Sequence, residues 1–281
     1  MTRKRLAVLG QPVSHSRSPA MHGAALAELG LAGEWSYEAI EVAPSDFESV
    51  VREMAAGDFV GANVTVPHKV AALELADEAT EAARAIGAAN TLSFHSGRIN
   101  AENTDARGFL DSLPGPPAGK RALVLGAGGS ARAVAWALVT EGAQVSIWNR
   151  THEKAERLAR ELGASPLPSG EERLGGADFD LIVNATTVGM GAYEGADLKA
   201  LPIAADSLTE TQLVVDLAYG PAETELARTA RAHGATVVDG LEVLVHQGAA
   251  SLRIWTGQEP PIQTMRRAAR ATPEPWSAQD T

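Results

Sequence analysis

Ala122-Leu-Val-Leu-Gly126-Ala127-Gly128-Gly129-Ser130-Ala131 is an apolar run that breaks into glycines and then opens into an alanine-rich stretch. Strand, tight turn and helix, in that order, are the context in which G-x-G-x-x-G/A acquires physical meaning. Gly126 permits the turn, Gly128 lets the backbone approach a pyrophosphate, and Ala131 lets helix and strand pack closely. The start of the helix adds unpaired N–H groups and the positive end of a dipole, both suited to phosphate. Glycine-rich turns are common by themselves; with a strand before and a helix after, a dinucleotide site is expected.

The next strand indicates which dinucleotide. An NAD site ends that strand, about 20 residues after the glycines, with Asp or Glu for the ribose 2′-hydroxyl. This chain reads Ile147-Trp148-Asn149-Arg150-Thr151, with Lys154 one turn on. Arg150 can grip a 2′-phosphate with its planar fork, Thr151 can donate a hydroxyl and a helix N–H, and Lys154 adds charge. NADP is the expected cofactor.

Outward from this motif the chain alternates. Strands at 122–125, 144–149, 180–184, 213–217 and 236–238 are separated by helices from Gly129 to about Glu141, over 151–162 and over 224–233, a pattern that implies a parallel sheet with right-handed crossovers. Upstream, strands at 6–9, 35–42 and 59–66 alternate with a helix opened by Ser18 as N-cap and Pro19 as N1, a helix capped by Ser45, and a helix from Pro67. A further helix over 78–86 and strands at 89–94 and 98–101 around His95-Ser-Gly97 follow. Leu110–Lys120 is too rich in Pro and Gly for regular structure and reads as a junction. Helices at 241–255 and 262–270 close the pattern, and Thr272–Thr281 reads as a frayed polar end. The expected fold class is therefore α/β with two domains. An N-terminal α/β substrate domain, residues 1–105 completed by 241–281, joins a Rossmann-like doubly wound NADP-binding domain, 106–240.

Composition narrows the partners. The 281 residues are 45% hydrophobic with 27 Gly, enough for a sizeable core. With 24 basic and 35 acidic residues the net charge is −11, which argues against nucleic acid or an anionic membrane as a partner. No cysteine is present, which excludes disulfides, thiolate metal sites and a cysteine nucleophile. No apolar run approaches the roughly 18 residues a spanning helix needs, and the run after Arg3-Lys-Arg5 is too short for a signal peptide, so cytoplasmic residence is expected. The 7 His show no H-x-x-x-H pair; no metal is expected, and His15, His22 and His68 are not expected to act in catalysis.

Polar clusters gather in the first domain. Ser14-His-Ser16-Arg-Ser18-Pro19 follows the first strand, Asn63-Val-Thr65-Val-Pro-His-Lys69 spans the third, and Asn90-Thr91 and Asn103-Thr-Asp105 accompany later ones. Singly, each has a plain explanation: Ser18 caps a helix, Asn90 and Asn103 form turns, Lys69 is a solvated charge. Their convergence near strand ends, where open α/β sheets place ligands, is harder to explain that way.

With these segments, and with Gly87-Ala-Ala-Asn90-Thr, Asn184-Ala-Thr186, Tyr219 and Asp239-Gly240-Leu241 leading to Gln247, the sequence resembles the shikimate dehydrogenase family nearly end to end. The resemblance implies NADPH-dependent reduction of 3-dehydroshikimate to shikimate, a step of aromatic amino-acid biosynthesis. It makes Lys69 and Asp105 the catalytic pair, Ser16, Ser18 and Tyr219 the binders of the substrate carboxylate, and Thr65, Asn90, Asp105 and Gln247 the holders of the ring hydroxyls. Gly126, Ala127, Gly128, Gly129, Ser130, Asn149, Arg150, Thr151, Lys154, Leu217 and Gly240 would line the cofactor, with Glu81 a further contact. Glu242 and Val243 depart from the family, where Gly and Met are commoner. The residue types suit the chemistry: hydride transfer belongs to the nicotinamide, and the protein positions the reactants and manages one proton.

Two rivals stand beside this expectation. One is a quinate or dual quinate/shikimate dehydrogenase using NAD, against which Arg150 speaks. The other is a dinucleotide-binding regulator without turnover, against which the retained Lys69 and Asp105 speak. A small-molecule substrate in the cleft between the domains, domain closure over it, and a monomer or homodimer complete the expectations.

Overall fold

β1 (Lys4–Gly10) carries five consecutive buried residues, the mark of a strand covered on both faces, and it lies at the centre of three parallel strands. The computed structural model, which describes residues 3–169, 174–190, 198–220 and 222–271, pairs it with β2 (Trp35–Glu41) and β3 (Phe59–Val64). The crossovers are α1 (Ser18–Glu28) and α2 (Phe47–Ala56). After α3 (Lys69–Glu74) come the short β4 (Glu78–Ala79) and α4 (Glu81–Ile86). The hairpin of β5 (Thr91–His95) and β6 (Arg98–Glu102) then extends the sheet to the order β2-β1-β3-β5-β6-β4. Its two turn residues, Ser96 and Gly97, have φ of 52° and 77°, as a twist-matched two-residue turn requires.

Three details differ from the sequence reading. Ser18 is the first residue of α1, with Arg17 at the cap, so its hydroxyl is released from capping. The stretch 78–86 divides into β4 and α4 because Thr80 accepts from the N–H of Ala83 and starts a new helix there. Regular structure also enters the expected junction: α5 (Thr104–Ser112) runs through the boundary at 105/106. Asn103 caps it by accepting from the N–H of Ala106, and Asp105 complements its first turn. The pattern Asn-Thr-Asp was itself the missed signal.

The second sheet is wholly parallel in the order β12-β11-β10-β7-β8-β9. Its members are β7 (Arg121–Leu125), β8 (Gln144–Trp148), β9 (Ser165–Pro166), β10 (Leu181–Asn184), β11 (Leu213–Asp216) and β12 (Thr236–Asp239), with α6 (Gly129–Thr140), α7 (His152–Leu162) and α8 (Glu225–Ala232) on its faces. Strand order reverses between β7 and β10, so the crevice beyond their carboxyl ends is where a doubly wound sheet takes its ligand.

α9 (Gly240–Thr256) and α10 (Ile262–Arg270) return the chain to the first sheet. Trp255 donates its indole N–H to the carbonyl of Leu92 at 3.0 Å, over the side-chain-free surface of Gly61. Glu242, one of the family departures, binds Arg266 and Arg270 and so ties α9 to α10, while Val243, the other, is buried with Phe109 and Ile86 against α6. The segment 272–281 lies outside the described residues.

α5 and α9 meet at Gly108, where an added Cβ would collide with the backbone N and Cα of Gln247. Since α5 brings Asp105 and α9 brings Gln247, Gly108→Ala is expected to part the two helices. A loss of about 1–3 kcal/mol in urea-unfolding stability is predicted, with reduced turnover; an unchanged midpoint would show that the helices yield without cost.

Candidate active site

Lys69 opens α3, and the residue before it is locked. His68 stacks on Phe47 with ring centroids 4.4 Å apart, and its Nε2 lies 2.8 Å from the carbonyl of Val42. From this anchored turn Lys69 Nζ reaches Asp105 Oδ2 at 2.5 Å and Ser130 Oγ at 3.0 Å. The two charged side chains are only 11% and 15% exposed, so their attraction is little screened by water. The other oxygen of Asp105 accepts from Asn90 Nδ2 at 2.9 Å. Asn90 Nδ2 also stands 3.0 Å from Gln247 Oε1, and Asn90 Oδ1 accepts from the N–H of Thr104 at 2.7 Å. Lys69, Asp105, Asn90 and Gln247 thus form one network, although they come from α3, α5, the entry to β5 and α9.

Ser16, Ser18 and Tyr219 form a second group. The N–H of Ser18 donates to Ser16 Oγ at 3.2 Å, and Tyr219, from the loop after β11, brings its phenol near the Ser16 side chain and the Arg17 backbone. Two residues that had no assigned role join them. Tyr37 on β2 donates to Asn63 Oδ1 at 2.7 Å and has the side chain of Ser18 near its phenol. Burial pushes the phenols of Tyr37 and Tyr219 upward, so both remain protonated, the Tyr37 proton being held by Asn63. Hydroxyl donors without a carboxylate among them suit an anionic group. Thr65, half-buried after β3, packs its methyl against Gly10. Asn63 stood in a quoted motif, but nothing in Trp-Ser-Tyr-Glu-Ala-Ile-Glu sets Tyr37 apart from a packing residue.

His22 faces Tyr37 from behind, stacked at 4.2 Å, fully buried and with neither ring nitrogen hydrogen-bonded. Burial holds its pKa down from 6.5 to about 3. The unfolded chain therefore binds a proton there that the folded one refuses, so its contribution is intact above 6.5 and is lost as pH falls towards 3. Relative to wild type, His22→Leu is expected to gain about 2–3 kcal/mol of unfolding free energy between about pH 7.5 and about pH 4.5. A pH-independent difference between the two proteins would contradict a neutral buried imidazole.

The dinucleotide side fits NADP. Gly126 has φ 114° and its Cβ position lies 2.9 Å from the carbonyl of Ala185, so only glycine makes this turn. Gly128 faces open space, the cradle an approaching phosphate requires, and Ala131 is wholly buried behind it. At the end of β8, Asn149 Nδ2 donates to the carbonyl of Thr151 at 2.9 Å. Arg150, Thr151 and Lys154 are exposed, and among the described residues Arg150 makes no ion pair. Leu217 and Gly240 meet where β11 and β12 end, the Cβ position of Gly240 lying 2.5 Å from the carbonyl of Leu217. Glu81 is exposed at the start of α4.

Beneath the Leu217–Tyr219 loop, Asp216 accepts from Asn184 Nδ2 at 2.8 Å, the N–H of Ala218 at 3.1 Å and Thr224 Oγ1 at 2.5 Å. Burial pushes its carboxyl up to about 6 despite those donors. This support for Tyr219 was not read from the sequence, because a strand-end Asp gives no sign of which loop it holds.

A doubly wound sheet with its glycine turn at the switch point, facing a lobe that brings a buried amine and carboxylate against that turn, defines a dinucleotide-dependent oxidoreductase. Comparison with known proteins makes this specific. The shikimate dehydrogenase substrate binding domain matches residues 8–92, the shikimate/quinate 5-dehydrogenase model residues 112–243, and the shikimate 5′-dehydrogenase C-terminal domain residues 240–270. The chain belongs to the shikimate dehydrogenase family. It is 45% identical over 274 residues to the NADP(+) shikimate dehydrogenase of Methanopyrus kandleri, covering 93% of each chain. The crystal structure of shikimate 5-dehydrogenase from Thermus thermophilus with NADP(H) and shikimate superposes with a TM-score of 0.84 at 43% identity, over 95% of this chain and 98% of that one. A 5-ketofructose reductase of Gluconobacter also superposes, with a TM-score of 0.83 at 34% identity over 96% and 98%, so the fold admits more than one ketone. Among the described residues no helix is long and apolar enough to cross a membrane.

Proposed function

We propose that the protein catalyses the reversible NADPH-dependent reduction of 3-dehydroshikimate to shikimate. The observation that carries this is the Lys69–Asp105 pair, 2.5 Å apart and seated against the glycine turn, beside a hydroxyl group of anion-binding character. The cofactor, when bound, supplies or accepts the hydride. Lys69 donates a proton to the carbonyl oxygen during reduction and recovers it from the alcohol during oxidation. Asp105 holds the ammonium, and Asn90 fixes Asp105 through its second oxygen. Ser16, Ser18 and Tyr219 take the carboxylate; Thr65, Asn90, Asp105 and Gln247 take ring hydroxyls.

In this proposal residues 1–105 with 241–281 hold the substrate, and 106–240 hold NADP through the glycine turn, Asn149, Arg150, Thr151, Lys154, Leu217 and Gly240, with closure of one domain on the other excluding water. Cytoplasmic residence and a monomeric or homodimeric state belong to the same proposal. Steady-state rates with shikimate and quinate, each with NADP and NAD, test it. Shikimate with NADP is expected to give the highest kcat/KM, and equal or better turnover of quinate with NAD would overturn it.

A further inference from the structure

Ser130 belongs by resemblance to the cofactor loop and Lys69 to the substrate lobe, yet their side chains meet. Lys69 Nζ donates to Ser130 Oγ at 3.0 Å, and the lysine stem lies along the preceding residue. A Cβ built on Gly129 would stand 2.9 Å from Lys69 Cβ and 3.1 Å from Cδ, whereas Gly128 faces open space. Contact at Cβ cannot be relieved by swinging the far end of the lysine away. Gly129 is therefore bare for the lysine as well as for any ligand.

An ammonium has three N–H donors. Asp105 on α5 takes one and Ser130 on α6 a second, from the opposite lobe, leaving the third for a substrate oxygen. We propose that Gly129 and Ser130 are positioning residues for proton transfer: the glycine turn seats the acid–base lysine itself, stem on Gly129 and head on Ser130. The inference rests on Lys69 acting as acid and base. A carboxylate alone leaves an ammonium free to rotate and drift about one contact, while a second acceptor on another element fixes its place and adds no charge.

Ser130→Ala, Ser130→Thr and Gly129→Ala test this. Ser130→Ala is expected to lower kcat about 10-fold, the loss of one hydrogen bond to a charged group. KM for shikimate and the NADPH dissociation constant from fluorescence titration should stay within about 2-fold. Ser130→Thr should restore most of kcat. Gly129→Ala should cost more in kcat than Ser130→Ala. In cofactor-free protein, acetylation of Lys69 by limiting acetic anhydride, followed by mass spectrometry, should rise several-fold in Ser130→Ala and return towards wild type in Ser130→Thr. Weakened NADPH binding with kcat kept in Ser130→Ala would assign the hydroxyl to the cofactor alone and overturn the inference. So would unchanged kcat and acetylation in both alanine variants. If Lys69→Ala itself keeps its turnover, Lys69 leaves the mechanism and the inference falls with it; an unaffected Ser130→Ala beside an inactive Lys69→Ala overturns only the seat.

Discussion

Lys69→Ala is expected to lower kcat by about 10²–10⁴-fold, the ordinary range for losing a positioned acid–base group. NADPH should bind almost as before, because the glycine turn, Arg150 and Lys154 are untouched. The split matters more than the size. Loss of an interaction used only in the transition state lowers kcat and kcat/KM together, whereas loss of a ground-state anchor raises KM. Fluorescence titration with NADPH, beside steady-state kinetics with shikimate, separates the two. Unchanged kcat would remove Lys69 from the mechanism. The variant also leaves the Asp105 carboxylate, 15% exposed, without its cation, so folding should be checked by circular dichroism before any kinetic interpretation.

The second large effect is expected at Arg150. Its guanidinium is exposed beyond β8 with no ion-pair partner among the described residues, next to Thr151 and one turn before Lys154. A bidentate charge-assisted contact with a 2′-phosphate is worth about 1.5–3 kcal/mol, so Arg150→Glu, which also adds repulsion, should weaken kcat/KM for NADPH by about 10²-fold. Activity with NADH should hold or rise, since its ribose bears a hydroxyl in place of the phosphate. Equal loss with both cofactors would mean that Arg150 supports the strand end and does not read the phosphate.

The second sheet was legible because its signals are local. A buried parallel strand is an apolar run, the glycines fall where φ turns positive or a backbone approaches, and α10 was read at 262–270, its observed bounds. The site was legible in part. Lys69 and Asp105 announced themselves as charges among hydroxyls and amides, and their 2.5 Å contact joins residues 36 positions apart. α5 was missed because the prolines after Leu113 dominated the stretch, although Asn103 and Asp105 already had the chemistry of a helix start. Tyr37, Asp216 and the Lys69–Ser130 contact were not legible. Each depends on which elements the fold sets face to face: β2 beside α1, the end of β11 beneath the Tyr219 loop, α3 against α6. Ser18 shows the opposite case, a residue whose plain capping role was removed by a one-position shift of the helix start, leaving its hydroxyl near Tyr37.

The most direct test of a proton-shuttling lysine between two lobes is a crystal structure of the complex with NADP and shikimate. Lys69 Nζ is predicted within about 2.6–3.2 Å of the hydroxyl oxygen on the carbon that faces the nicotinamide, with Asp105 still bound to it. A complex in which another side chain holds that oxygen, and Lys69 stands a water layer or more away, would contradict it.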